Sequence, residues 1–119
     1  MIDQETCAQQ ELAAVAAGYK LVWDRGQECF RHRETGLPWR PEVDSEDAAQ
    51  LALDCMIQIQ ADEQNAELYI SFLVAGEPQI TSITINAMNS TTPDDVLAAI
   101  RYTILDAAAQ IGRALKAAN

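Results

Sequence analysis

Lysine, arginine and histidine are missing from Pro41 to Ile100, a stretch that holds eleven carboxylates: Glu42, Asp44, Glu46, Asp47, Asp54, Asp62, Glu63, Glu67, Glu77, Asp94 and Asp95. Half of the chain therefore has no internal cation to neutralise it. The basic residues flank this region, with Lys20, Arg25, Arg31, Arg33 and Arg40 before it and Arg101, Arg113 and Lys116 after it. Such a split produces a field that draws cationic partners and repels nucleic-acid backbones.

Other absences exclude chemistries. There is no glycine-rich dinucleotide fingerprint and no phosphate loop. Three cysteines, Cys7, Cys29 and Cys55, include no Cys-x-x-Cys pair. An odd, widely spaced set fits neither a disulfide framework nor a zinc site, so reduced thiols are expected, with Cys55 buried. The single histidine, His32, lies between Arg31 and Arg33 and is expected to be solvated rather than part of a catalytic apparatus. Asp62-Glu63-Gln64-Asn65 offers oxygen ligands without the spacing or glycine of a calcium loop. No catalytic residue, metal or cofactor is expected. No apolar run reaches bilayer length and Met1-Ile2-Asp3-Gln4-Glu5 is not a signal peptide, which points to a cytoplasmic protein.

What is present is enough apolar residue, 49%, to build a core in 119 residues despite a net charge of −10. One domain spanning residues 1–119 is expected. Ala, Gln, Glu and Leu from Asp3 to Ala17 read as a helix closed by Gly18, with Ala8, Leu12, Val15 and Ala16 as its apolar stripe. Tyr19–Trp23 and Glu28–Arg31 read as a hairpin across an Asp24-Arg25-Gly26-Gln27 turn, and Trp23 should pack on Phe30. The proline-containing run from Arg33 to Val43 reads as a loop that Trp39 pins to the core.

Asp44 or Ser45 caps a second helix with Ala48, Leu51, Ala52 and Cys55 inward. Met56–Gln60, Glu67–Val74 and Gln79–Ala87 read as a meander with one wet face, turning at residues 62–65 and at Gly76-Glu77-Pro78. Apolar mass on both faces of Glu67–Val74 makes it the central strand. The last helix has Thr92 as N-cap, Pro93 at the first position and Asp95 completing a capping box. Its inward face is Val96, Ile100, Ile104, Ala107, Ala108, Ile111 and Leu115. Tight turns force antiparallel pairing, so the expectation is an α+β fold of order α-β-β-α-β-β-β-α.

Gly18-Tyr19, Trp23, Leu37-Pro38-Trp39-Arg40-Pro41, Asp44, Asp47-Ala48-Ala49 and the alanine-rich helix opened by Thr91-Thr92-Pro93 together resemble the small accessory proteins of tailed bacteriophages of the NinX-like or phage ABA-sandwich type. The resemblance implies an α+β sandwich of phage origin and no defined activity. The basic Arg31-His32-Arg33 segment and the pronounced acidity depart from that pattern.

The charge split leads to an expected function: a non-enzymatic phage accessory protein that binds a host protein through an acidic surface. An inhibitor of a nucleic-acid-handling defence complex, of anti-CRISPR or anti-restriction type, would act in this way. The contact residues would be Glu42, Asp44, Glu46, Asp47, Asp62, Glu63 and Glu67, each meeting lysine or arginine on a basic, nucleic-acid-binding host surface. Neither direct nucleic-acid binding nor a membrane enters this picture. Trp39 and Arg40 at a homodimer contact give a structural or scaffold alternative, and the many carboxylates a second one, a hydrolase.

Overall fold

Asp3 starts the first helix with its own side chain. In the computed structural model, which describes residues 3–62, 64–65, 67–84 and 93–118, its Oδ1 accepts the Thr6 N–H at 2.6 Å. Helix α1 (Gln4–Ala17) leads through Gly18 into an antiparallel sheet of β1 (Leu21–Asp24), β2 (Cys29–His32) and β3 (Pro38–Trp39). Helix α2 (Ser45–Asp54) precedes a second antiparallel sheet, β4 (Gln58–Asp62), β5 (Glu67–Val74) and β6 (Glu77–Thr84), and α3 (Pro93–Ala118) follows. The α+β architecture agrees with the sequence, with one added strand. The run from Arg33 to Val43 is not all loop, because β3 pairs Trp39 with Phe30 and Pro38 with Arg31. Two residues, one of them proline, carry no alternation to read.

At 26 residues, α3 is roughly 39 Å long at 1.5 Å per residue, close to the 43 Å longest extent of the molecule. It is the spine. α1, α2 and β5 all pack on it, and Ile104, Leu105, Ala107 and Ala108 join Ile70, Phe72, Leu51 and Trp39 in one core. Gln9 bonds Asp106 and Leu12 approaches Gly112, so α1 and α3 run in the same direction.

The face α1 turns inward differs from the expected stripe. Thr6, Gln10, Ala13 and Ala14 are buried, whereas Ala8 and Val15 are exposed. Small residues on both helices allow close approach, and that fit outweighs the size of Leu12 and Val15 in setting the rotation.

The meander has its expected order, with β5 central and Ile70 and Phe72 buried beneath it. β5 keeps its expected bounds, Glu67–Val74, while β4 lies two residues later than expected and β6 starts two residues earlier. The β5–β6 turn is Ala75-Gly76, both with positive φ (52° and 82°), and joins the paired residues Val74 and Glu77. Gly76 takes the left-handed conformation without the Cβ penalty that Ala75 carries. Pro78 then lies in β6, an edge strand where its missing N–H costs no ladder bond. The expected Thr92 cap and the strand end at 85–87 lie outside the described residues.

Candidate functional site

The start of α2 carries four of the acidic residues singled out above, and each is committed to the fold in a different degree. Asp44 is the N-cap, its Oδ1 accepting from the N–H groups of Glu46 and Asp47 at 2.9 and 3.2 Å. Asp47 is half-buried and accepts the Arg40 N–H at 2.9 Å. Burial pushes its carboxyl above the usual range, with the Asp44 carboxylate adding to the shift and the Arg40 N–H and His32 opposing it. Glu46 is exposed.

Glu42 does not face a partner. It is 7% exposed, and both carboxylate oxygens accept from Gln10 Nε2, at 2.7 and 2.8 Å. The expected contact there is replaced by a buried tie between α1 and the segment before α2. Trp39 is corrected in the same way: at 1% exposure it belongs to the core and offers nothing to a second subunit.

Cations also reach this region from both flanks. Arg101 on α3 donates from Nε to the Glu42 backbone carbonyl and from a terminal nitrogen to Ser45 Oγ, both at 3.1 Å. An open cleft of about 760 Å³ has Lys20, His32 and Arg40 in its lining together with Glu34, Asp44, Glu46 and Asp47. His32 is not freely solvated. Its ring meets Tyr19 and Trp39 edge-on, with centroids 5.3 and 6.2 Å away. The basic segment thus answers the acidic start of α2 within the same molecule.

Asp62 and Glu67 flank the far turn of the meander. Asp62 holds the turn: it accepts from the Gln64 and Asn65 N–H groups and from Asn65 Nδ2 at 2.9 Å, and the Asn65 amide holds its carboxyl below the usual range. Glu67 accepts the Tyr69 hydroxyl at 2.5 Å. Glu63 lies outside the described residues.

The fold also gathers acid around the N-terminus of α1. Three clefts there share Asp3. One of about 380 Å³ is lined by Asp3, Cys7, Glu11, Trp23 and Glu28, and one of about 450 Å³ by Asp3, Glu5, Gln9, Tyr102 and Asp106. Neither of these is lined by a lysine or arginine; the third, beside Glu42, includes Arg40. The negative potential registers on Cys7, whose thiol is pushed up by burial and then by Glu11, Asp3 and Glu42. Trp23, 40% exposed, sits edge-on to Phe30 at 5.0 Å, as the hairpin register predicts, and keeps part of its ring at the cleft.

These five carboxylates escape a linear reading because three elements supply them. Asp3, Glu5 and Glu11 come from the α1 region, Glu28 from the β1–β2 turn and Asp106 from α3. Among the described residues, no group of three or more His, Cys, Asp or Glu side chains is placed to hold a metal ion, and no helix is long and apolar enough to cross a membrane.

Comparison with protein-family profiles, curated proteins and solved structures finds no match.

Proposed function

We propose that this chain is a non-enzymatic protein that docks a basic surface of a partner protein against the acidic end formed by Asp3, Glu5, Glu11, Glu28 and Asp106. The observation that carries this reading is the convergence of carboxylates from three elements on neighbouring clefts, two of them without a lining cation. The start of α2 is less suited, since Lys20, Arg40 and Arg101 already answer it. Exposed Trp23 adds an aromatic edge of the kind that anchors interfaces and receives cationic side chains. Because Gly18-Tyr19, Trp39-Arg40-Pro41 and Thr92-Pro93 resemble phage accessory proteins, the partner is sought in a bacterial host, among complexes that handle nucleic acid for defence.

The test is affinity capture from host lysate at low and high salt, comparing the wild type with Glu11→Lys/Glu28→Lys and with a charge-matched control, Glu34→Lys/Glu77→Lys. A protein retained by wild type and control, lost from the Glu11/Glu28 variant and displaced by duplex DNA supports the reading. Equal capture by both variants removes it.

A further inference from the structure

The cleft of about 760 Å³ holds charges of both signs without joining them. Its lining comes from Gly18 and Lys20 before β1, from the loop between β2 and β3, and from the connection that runs from Arg40 into the first turn of α2. Its size falls within the roughly 300–1,000 Å³ of small-ligand sites. Lys20 and Arg40 share this lining with four carboxylates, Glu34, Asp44, Glu46 and Asp47. Among the described residues, none of these six charges is joined to another in an ion pair. Arg40 donates from a terminal nitrogen to the Gln27 carbonyl at 3.3 Å, and Asp44 uses one oxygen as the helix cap.

Main-chain bonds fix the walls. The Arg33 N–H donates to the Lys20 carbonyl at 2.9 Å, the His32 N–H to the Leu37 carbonyl at 3.0 Å and the Gly36 N–H to the His32 carbonyl at 2.8 Å. Asp47, accepting the Arg40 N–H, ties the exit of β3 to α2. The His32 ring is held edge-on to Tyr19 and Trp39. A cleft ordered in this way loses little freedom when it is filled. Apolar surface belongs to it as well: Leu37 and Val43, each 61% exposed, are in the same lining.

We infer that this cleft binds a short zwitterionic peptide of about two or three residues with apolar side chains. Charge selects that class. An anion meets four carboxylates for two basic side chains, in a chain of net charge −10, and a purely basic ligand meets Lys20 and Arg40. A molecule with one charge of each sign avoids both repulsions. Its carboxylate turns to Lys20 and Arg40, and its ammonium to Glu46 and the second oxygen of Asp44. The peptide backbone spaces these two charges, and an apolar side chain covers Leu37 or Val43. Exposed ion pairs are individually weak and the cleft is open, so the affinity is roughly millimolar. The acidic docking end shares no residue with this cleft.

The test titrates leucyl-leucine into isotope-labelled protein and follows backbone amide chemical shifts, beside the N-acetylated and the C-amidated dipeptide. Saturable shifts are expected within residues 18–20, 32–38 and 40–47 for the free dipeptide, with binding of each blocked form weaker by about fivefold. Lys20→Glu and, separately, Glu46→Lys are expected to weaken binding of the free dipeptide by about fivefold, whereas Glu77→Lys leaves it unchanged. Retained dispersion of the amide spectrum shows that each variant is folded. The absence of saturable shifts in the millimolar range overturns the inference. So does an amidated dipeptide that binds as tightly as the free one, which would make the cleft a site for cations alone, and so do substitutions at residues 20 and 46 that change nothing.

Discussion

The carbonyl oxygen of Leu12 occupies the space where a side chain at residue 112 would begin: a Cβ built on Gly112 falls 1.8 Å from it. Two parallel helices approach backbone to backbone at this point, and only glycine permits the distance. Alanine in an exposed helix interior is about 1 kcal/mol more favourable than glycine, so intrinsic propensity argues for the substitution and packing against it. Packing wins, since the obstacle is main chain and cannot rotate away. Gly112→Ala is expected to lower stability by about 3 kcal/mol, measured by urea unfolding. A stability equal to wild type would show that α1 is not seated on α3 as described.

Gln10 and Glu42 form the other tie between α1 and the body, and their roles are unequal. Gln10 is fully buried, with its amide nitrogen on both Glu42 oxygens, while its own Oε1 has no hydrogen-bond partner among the described residues. Gln10→Ala strands a buried carboxylate, at a cost of about 2–3 kcal/mol. Glu42→Ala leaves a buried amide unpaired and costs about 1–3 kcal/mol. Because each change removes the same contact, the double variant should be less destabilised than the two single changes added together. Additive losses in chemical denaturation would count against a direct bond.

How far the sequence could be read follows from which signals are local. The meander and α3 were legible because alternation and helical spacing repeat over eight or more residues. The Trp23–Phe30 contact was legible because a short turn fixes its register. β3 was not, since two residues cannot show a period. The inward face of α1 was not, because alanine lies on several of its sides and the choice depends on Gly112, almost a hundred residues away. Charge was read as a property of a stretch, yet Arg101 and Arg40 close on the start of α2, and the acidic end draws Asp106 from α3. Glu42 illustrates the difference: by composition it belongs with Asp44 and Glu46, but one buried amide partner turns it inward.

Stability should have a maximum on the acid side of neutrality. Asp3, Asp24 and Asp62 are held below the ordinary 3.8 chiefly by the Thr6 N–H, the Arg31 guanidinium and the Asn65 amide respectively. Their contribution is present above 3.8 and is lost as pH falls through the lowered values. Asp47, raised by burial, acts in the opposite sense: its favourable contribution lies at low pH and is lost as pH rises through its raised value. Self-repulsion at net charge −10 also relaxes on approach to the isoelectric point near 4.3. Thermal unfolding followed by circular dichroism should therefore show Tm rising from pH 7 to about 5 and falling below about 3.8. A steady fall from pH 7 downward would mean that repulsion contributes little.

Cys7 can report the potential of the acidic end without any partner. Burial and the carboxylates of Glu11, Asp3 and Glu42 hold its thiol above the ordinary 9.0, so little thiolate is present near neutral pH and alkylation is slow. The carboxylate share of that shift is screened by salt and removable by mutation; the burial share is neither. Glu11→Gln is accordingly expected to speed iodoacetamide labelling of Cys7 by about twofold at low salt, with sodium chloride reproducing much of the gain in the wild type. Cys55 supplies the control within the same molecule. Its thiol is pushed up to about 11, mainly by burial and then by Asp54, so its labelling should not respond to residue 11. Cys29, 2% exposed, should label only on unfolding. Mass spectrometry resolves the three sites, and a Cys7 rate indifferent to both Glu11→Gln and salt would show that the carboxylates near α1 do not build the field on which the docking proposal rests.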